Sequence, residues 1–146
     1  MGKRRKAREQ ALQVLFQLEF DSARAEDVLA QFRDNKRTAS EIQEYCDHLV
    51  KGVSEHIKEI DRFIQSVSKN WRIERMALVD RNILRIAVFE LIHERDVDPP
   101  VVIDEAIEIT RKYSSDQSSR FINGILDAIH KKRAEQPPKA KDDEDD

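Results

Sequence analysis

Glycine and proline are scarce in this chain of 146 residues, at three and four respectively. A β-rich fold needs frequent turn residues, so their scarcity argues against a sheet-built architecture and predicts an all-α one. The prolines are all late, at Pro99, Pro100, Pro137 and Pro138. A single cysteine, Cys46, excludes an internal disulfide and any reliance on an oxidising compartment. No apolar run approaches the ~18 residues needed to cross a bilayer. The basic start is followed by Glu9, Gln10, Gln13 and Gln17 rather than by a secretory apolar stretch, so the chain reads as cytoplasmic with no membrane partner. Gly2, Gly52 and Gly124 lie too far apart for a phosphate-cradling loop, and no cofactor is expected.

Catalytic and metal signatures are equally thin. His48, His56, His93 and His130 show no metal-ligand spacing; His93-Glu94 starts like a zinc-protease helix but lacks the second histidine, so no metal site is expected. Cys46 falls on an apolar stripe beside Tyr45 and Leu49, the place of a small buried hydrophobe rather than a nucleophile. Asp104, Glu105 and Glu108 follow Pro100 in the first turns of a helix, where acids interact favourably with the helix N-terminus. Catalysis by them would need a pocket and a perturbed pKa that the sequence does not display, and no enzyme activity is expected.

What is present is apolar periodicity, with 39% apolar and 38% charged residues. Ala11, Leu12, Leu15 and Leu18 predict a first helix over about Lys3–Glu19, and Val28, Leu29 and Phe32 a short one over Ala25–Phe32. Ser40 is a plausible N-cap for a long helical pattern running through Ile42, Tyr45, Leu49, Val53, Ile57, Ile60, Ile64 and Val67, which Gly52 bends, splits or packs closely. The segment VDRNILRIAVFELIHE is apolar on most sides and predicts the centre of a bundle. Asp98-Pro99-Pro100 starts the next helix, and Ser115 or Asp116 caps the last, with Ile122, Ile125, Leu126 and Ile129 inward. The expectation is a compact bundle of about seven helices in two packed subdomains, about 1–68 and 69–135. Residues 136–146 read as a disordered acidic tail.

Charge is distributed unevenly. The five acids 142–146 outweigh the net charge of −3, so the rest of the chain is net positive. Lys3, Arg4, Arg5, Lys6 and Arg8 crowd the start of the first helix, where cations oppose the macrodipole. Phosphate is one explanation, since arginine forks bind it bidentately; a solvated terminus, neutralised by the acidic tail, is the other. Single-stranded RNA would suit the cations if aromatic rings lay nearby to stack on its bases. Phe16 and Phe121, the latter beside Arg120, are the candidate rings, with ordinary core as the alternative for both. A fold that joins the first and last helices would set both rings beside the basic end.

Four phrases in order carry a family resemblance: RRKAREQALQVLFQ, WRIERMALVDRNILRIAVFEL, DVDPPVVIDEAIEITRKY and SSRFINGILDAI. Over about residues 3–130 the chain resembles the NusB family of bacterial antitermination factors. The resemblance implies two packed helical subdomains and no enzyme activity. It further implies binding of single-stranded boxA RNA together with the small-subunit ribosomal protein that acts as NusE, within the RNA polymerase antitermination complex that supports ribosomal RNA transcription. Carried over residue by residue, it assigns Lys3, Arg4, Arg5, Lys6, Arg8, Phe16, Arg120 and Phe121 to RNA, and Asp80 and Glu74 to the ribosomal-protein partner. Phe16 stands where a tyrosine is frequent and so lacks the hydroxyl. The chain departs from the family at Ser114–Gln117, where a glycine and two acids are common. A protein-only adaptor is the rival reading. An RNA-modification enzyme ranks last, because the cofactor-binding domain that accompanies NusB-like modules in such enzymes is missing.

Overall fold

The structure, a computed structural model, describes residues 2–20, 24–35, 39–94 and 96–135. Among these residues it holds seven α-helices and no strand. They are α1 (Lys3–Phe20), α2 (Ala25–Asn35), α3 (Ser40–Glu55), α4 (Ile57–Val67), α5 (Leu78–His93), α6 (Pro99–Tyr113) and α7 (Asp116–Glu135), with a 3-10 turn at Ile73–Arg75 before α5. The acidic segment 136–146 and the side chain of Phe32 lie outside the described residues.

The all-α expectation holds, with differences at the helix boundaries. The long pattern after residue 40 is two helices, and the break falls at His56, not at Gly52. Gly52 is instead a point of close approach. A Cβ built there would lie 2.1 Å from Cζ of Phe89, so α3 and α5 touch where a side chain is missing. Ser40 is the first helical residue rather than the cap: Ala39 occupies that position and supplies no side-chain oxygen. The last helix is capped as its sequence indicates, the Ser118 amide donating to Ser115 Oγ at 3.0 Å. Pro99 and Pro100 open α6, where their missing amides leave no bond unmade.

Helix α5 is the axis of the bundle. Ile83, Leu84, Ile86, Ala87, Val88, Phe89 and Ile92 are all buried, and the helix packs on α1, α3, α4, α6 and α7. Helix α1 packs on α2, α3 and α5, whereas α7 packs on α4, α5 and α6. The first and last helices thus share α5 as the helix that both pack against. Cys46 is fully buried, and burial pushes its thiol pKa up to about 12, so it is a core residue and not a nucleophile.

Candidate nucleic-acid and partner interface

The cations that open α1 are not equivalent. Arg8 lies on the same face as Ala7, Ala11 and Leu12 and is 4% exposed. Its Nε and Nη2 donate to the two carboxylate oxygens of Glu90, both at 2.8 Å. Nη1 donates to Glu105 Oε1 at 3.3 Å. Glu90 is itself 1% exposed, inside the most apolar helix of the chain, and also accepts from Tyr45 Oη at 2.6 Å. Burial works against the charge on Arg8, but its hydrogen bonds and the charge of Glu90 outweigh it, and the Arg8 pKa rises. The neighbouring Tyr45 hydroxyl is driven upward too, by burial first and by Glu90 second.

Arg5 is half-buried and donates from Nε to Glu105 Oε1 at 3.0 Å. Glu105 therefore answers two arginines, more than the dipole role expected of it. The bond from Arg5, with the charges of Arg5 and Arg8, holds its carboxyl below the usual range against the opposing effect of burial. The outward cations are Lys3, Arg4 and Lys6. Lys3 reaches Glu41 at 3.0 Å. The Arg4 guanidinium lies 4.4 Å from the Tyr45 ring centroid, a cation–π contact, and 4.0 Å from Asp96. Lys6 has no ion-pair partner among the described residues.

A second surface lies where α5 begins. Trp71, Met76, Asp80, Gln117, Ser118 and Phe121 line a groove between the 3-10 segment, α5 and α7. Gln65 holds the segment in place: its Nε2 donates to the Trp71 carbonyl at 3.1 Å, and its Oε1 accepts from the Ile73 amide at 3.1 Å. Asp80 is 7% exposed, not a surface acid. Its Oδ2 accepts from Ser118 Oγ at 2.8 Å. Its Oδ1 is buried and accepts no hydrogen bond from a described residue. Glu74, by contrast, is exposed and paired with Arg72 at 3.3 Å. Phe121 is half-buried in the groove and Arg120 points outward.

The structure draws these groups into a strip rather than one patch. Arg4 and Phe16 are on the same helix, about 18 Å apart along its axis. Phe16 instead pairs edge-to-face with Phe20, ring centroids 5.2 Å apart. Three residues on from Phe16, Glu19 accepts from Arg81 Nη2 at 2.9 Å; three before Phe121, Ser118 bonds Asp80. Both rings thus stand one helical turn from the start of α5, and the cations stand at the opposite end of α1. The end of α6 lies between, where Lys112 Nζ and Tyr113 Oη both donate to Glu9 at 2.9 Å. Sequence reasoning did not single out Trp71, Phe20, Lys112 or Tyr113 for this surface. A large ring at a helix end or in a link, off the apolar stripe, is the signal that would have found Trp71, Phe20 and Tyr113.

The chain is thus an all-helical bundle with outward cations at one end of its first helix and an aromatic-rimmed groove where α5 begins. The family model described as the NusB family matches residues 5–131, and the chain belongs to the NusB family. Transcription antitermination protein NusB of Anaeromyxobacter dehalogenans is 44% identical over 129 residues, 88% of this chain and 90% of the relative. That of Trichlorobacter lovleyi is 45% identical over 129 residues, 88% and 91% of the two chains. Among solved structures, T. maritima NusB superposes with a TM-score of 0.78 at 36% identity, covering 88% of this chain and 90% of that one. A chain in the structure of antitermination factors NusB and NusE in complex with dsRNA gives 0.80 at 30% identity, covering 90% and 98%.

Proposed function

We propose that this chain is an RNA-binding antitermination factor. It takes boxA-type single-stranded RNA together with the small-subunit ribosomal protein that acts as NusE, and so supports transcription of ribosomal RNA in the cytoplasm. The observation that carries this reading is the pairing of outward cations at the start of α1 with a groove lined by Trp71, Asp80 and Phe121. An acid lining this groove gives charge complementarity to a ribosomal protein, which is basic by nature. Lys3, Arg4, Lys6 and the exposed edge of Arg5 face phosphate. Arg8 positions this end of α1 through Glu90 rather than touching RNA. Phe16, Arg120 and Phe121 serve as the stacking and docking side chains, and Glu74 flanks the protein partner.

The second reading, a protein-only adaptor, draws on the chain's own acids: Glu41, Asp96 and Glu105 already answer three of the cations. A gel shift with a boxA-like RNA oligonucleotide, with and without the ribosomal protein, separates the two. Lys3→Ala with Arg4→Ala and Lys6→Ala weakens RNA binding at least tenfold and leaves helicity and ribosomal-protein binding unchanged. With about four phosphates engaged, log affinity falls against log salt with a slope near −3. A flat salt response, or RNA affinity untouched by the triple variant, defeats the RNA reading and leaves the adaptor.

A further inference from the structure

No two histidines of this chain have the spacing of metal ligands, yet the fold brings two of them to one carboxylate. His56 is the residue between α3 and α4, Glu59 is in the first turn of α4, and His93 is the last residue of α5. His93 Nε2 is 2.9 Å from Glu59 Oε1, and His56 Nδ1 is 3.6 Å from the same oxygen. One donor atom from each of the three side chains falls within 4.8 Å of the others. Tetrahedral zinc with bonds of about 2.0–2.2 Å sets its donors about 3.3–3.5 Å apart. The two histidine–carboxylate separations, 2.9 and 3.6 Å, bracket that value.

We propose that His56, Glu59 and His93 form a binding site for a divalent transition metal of the zinc class, with the fourth position open to water. Two neutral imidazoles and one carboxylate are a borderline donor set that favours zinc, cobalt or nickel over calcium and magnesium, which take oxygen ligands.

The imidazoles are also gathered on one side of the bundle before any ion arrives. Their rings lie against each other at 4.2 Å between centroids, and both rest on Phe89, at 6.2 and 5.3 Å. Phe89 is fixed in turn by its contact with α3 at Gly52. All three ligands keep part of their side chain in solvent, between 30% and 41%, so an ion reaches them without opening the core. A bound metal would fasten the α3–α4 corner to the C-terminal end of α5, the helix that also carries Glu90. An exposed histidine–glutamate hydrogen bond by itself is worth little; the convergence of a third donor distinguishes this cluster from an ordinary surface pair.

The test is a titration of the full-length, tag-free protein with cobalt(II), followed by competition with zinc. Wild type takes up one equivalent with micromolar affinity and develops the visible absorption band of tetrahedral cobalt, which zinc then quenches. In thermal unfolding, zinc at about a hundred times its dissociation constant raises Tm by several degrees. His93→Ala and Glu59→Gln each weaken binding at least tenfold and abolish the zinc-dependent rise, whereas His130→Ala behaves as wild type. Glu59→Gln preserves side-chain shape and keeps the result decisive if His93→Ala folds poorly. No cobalt band, or equal binding by wild type and both ligand variants, overturns the site and leaves an adventitious ion only.

Discussion

Glu90 lies 82 positions from Arg8 in the chain and makes two hydrogen bonds to it in the core. Breaking such a pair by removing one partner leaves an uncompensated buried charge, at a cost of about 3–5 kcal/mol. A basic run read along the sequence cannot separate an arginine that faces solvent from one that faces its own helix bundle. The distinction depends on which acid the fold delivers, and Glu90 and Glu105 come from helices far along the chain. The one local sign was Glu90 itself, a charge within an otherwise apolar helix. Glu105 shows the same chemistry at a titratable group. Its folded-state pKa is depressed, chiefly by the Arg5 hydrogen bond. A depressed carboxylate contributes stability above its unfolded value of about 4.3, and that contribution is lost as pH falls through the folded value. In urea unfolding, the advantage of wild type over Glu105→Gln is therefore constant above about pH 5 and shrinks progressively below pH ~4.3. A difference that stays level down to pH 3 contradicts the pairing.

Individual helices were legible to within a few residues because their apolar spacing is regular. The first helix ends at Phe20, one residue past the expected Glu19. The Ser115 cap and the proline start of α6 follow from local chemistry that tertiary contacts do not override. The break at His56 was less legible, since the apolar pattern continues across it with Val53, Ile57 and Ile60. Of the three roles open to Gly52 there, bend, split or close contact, the structure takes the last. Adding one methyl at Gly52 drives it into the Phe89 ring at 2.1 Å, and that ring, 3% exposed, has little room to retreat. Gly52→Ala should lose about 1–3 kcal/mol through overpacking, although alanine is the better helix former by about 1 kcal/mol. Chemical denaturation measures it. A stabilised variant would mean that the two helices separate at no cost.

At the scale of the whole molecule, the family resemblance and the all-helical class were readable from phrases distributed along the chain, and the fold agrees with both. Their spatial assembly was not readable. The cations and Phe16 lie on α1 and Phe121 on α7, and both helices pack on α5, so a single patch became a strip with two ends. Proximity of the three zinc-class donors was hidden for the same reason, because 34 residues separate His93 from Glu59.

The groove end of that strip contains a spectroscopic probe of its own. The chain has one tryptophan, and Trp71 lines the groove with its surface 51% exposed. Excitation at the red edge of indole absorption consequently interrogates this one location. A polypeptide seated over Asp80 and Phe121 dehydrates the ring and moves its emission to shorter wavelength, while an oligonucleotide confined to the Lys3–Lys6 end leaves the spectrum where it was. The order in which the two ligands are added can then be followed optically, without a label, in a single cuvette.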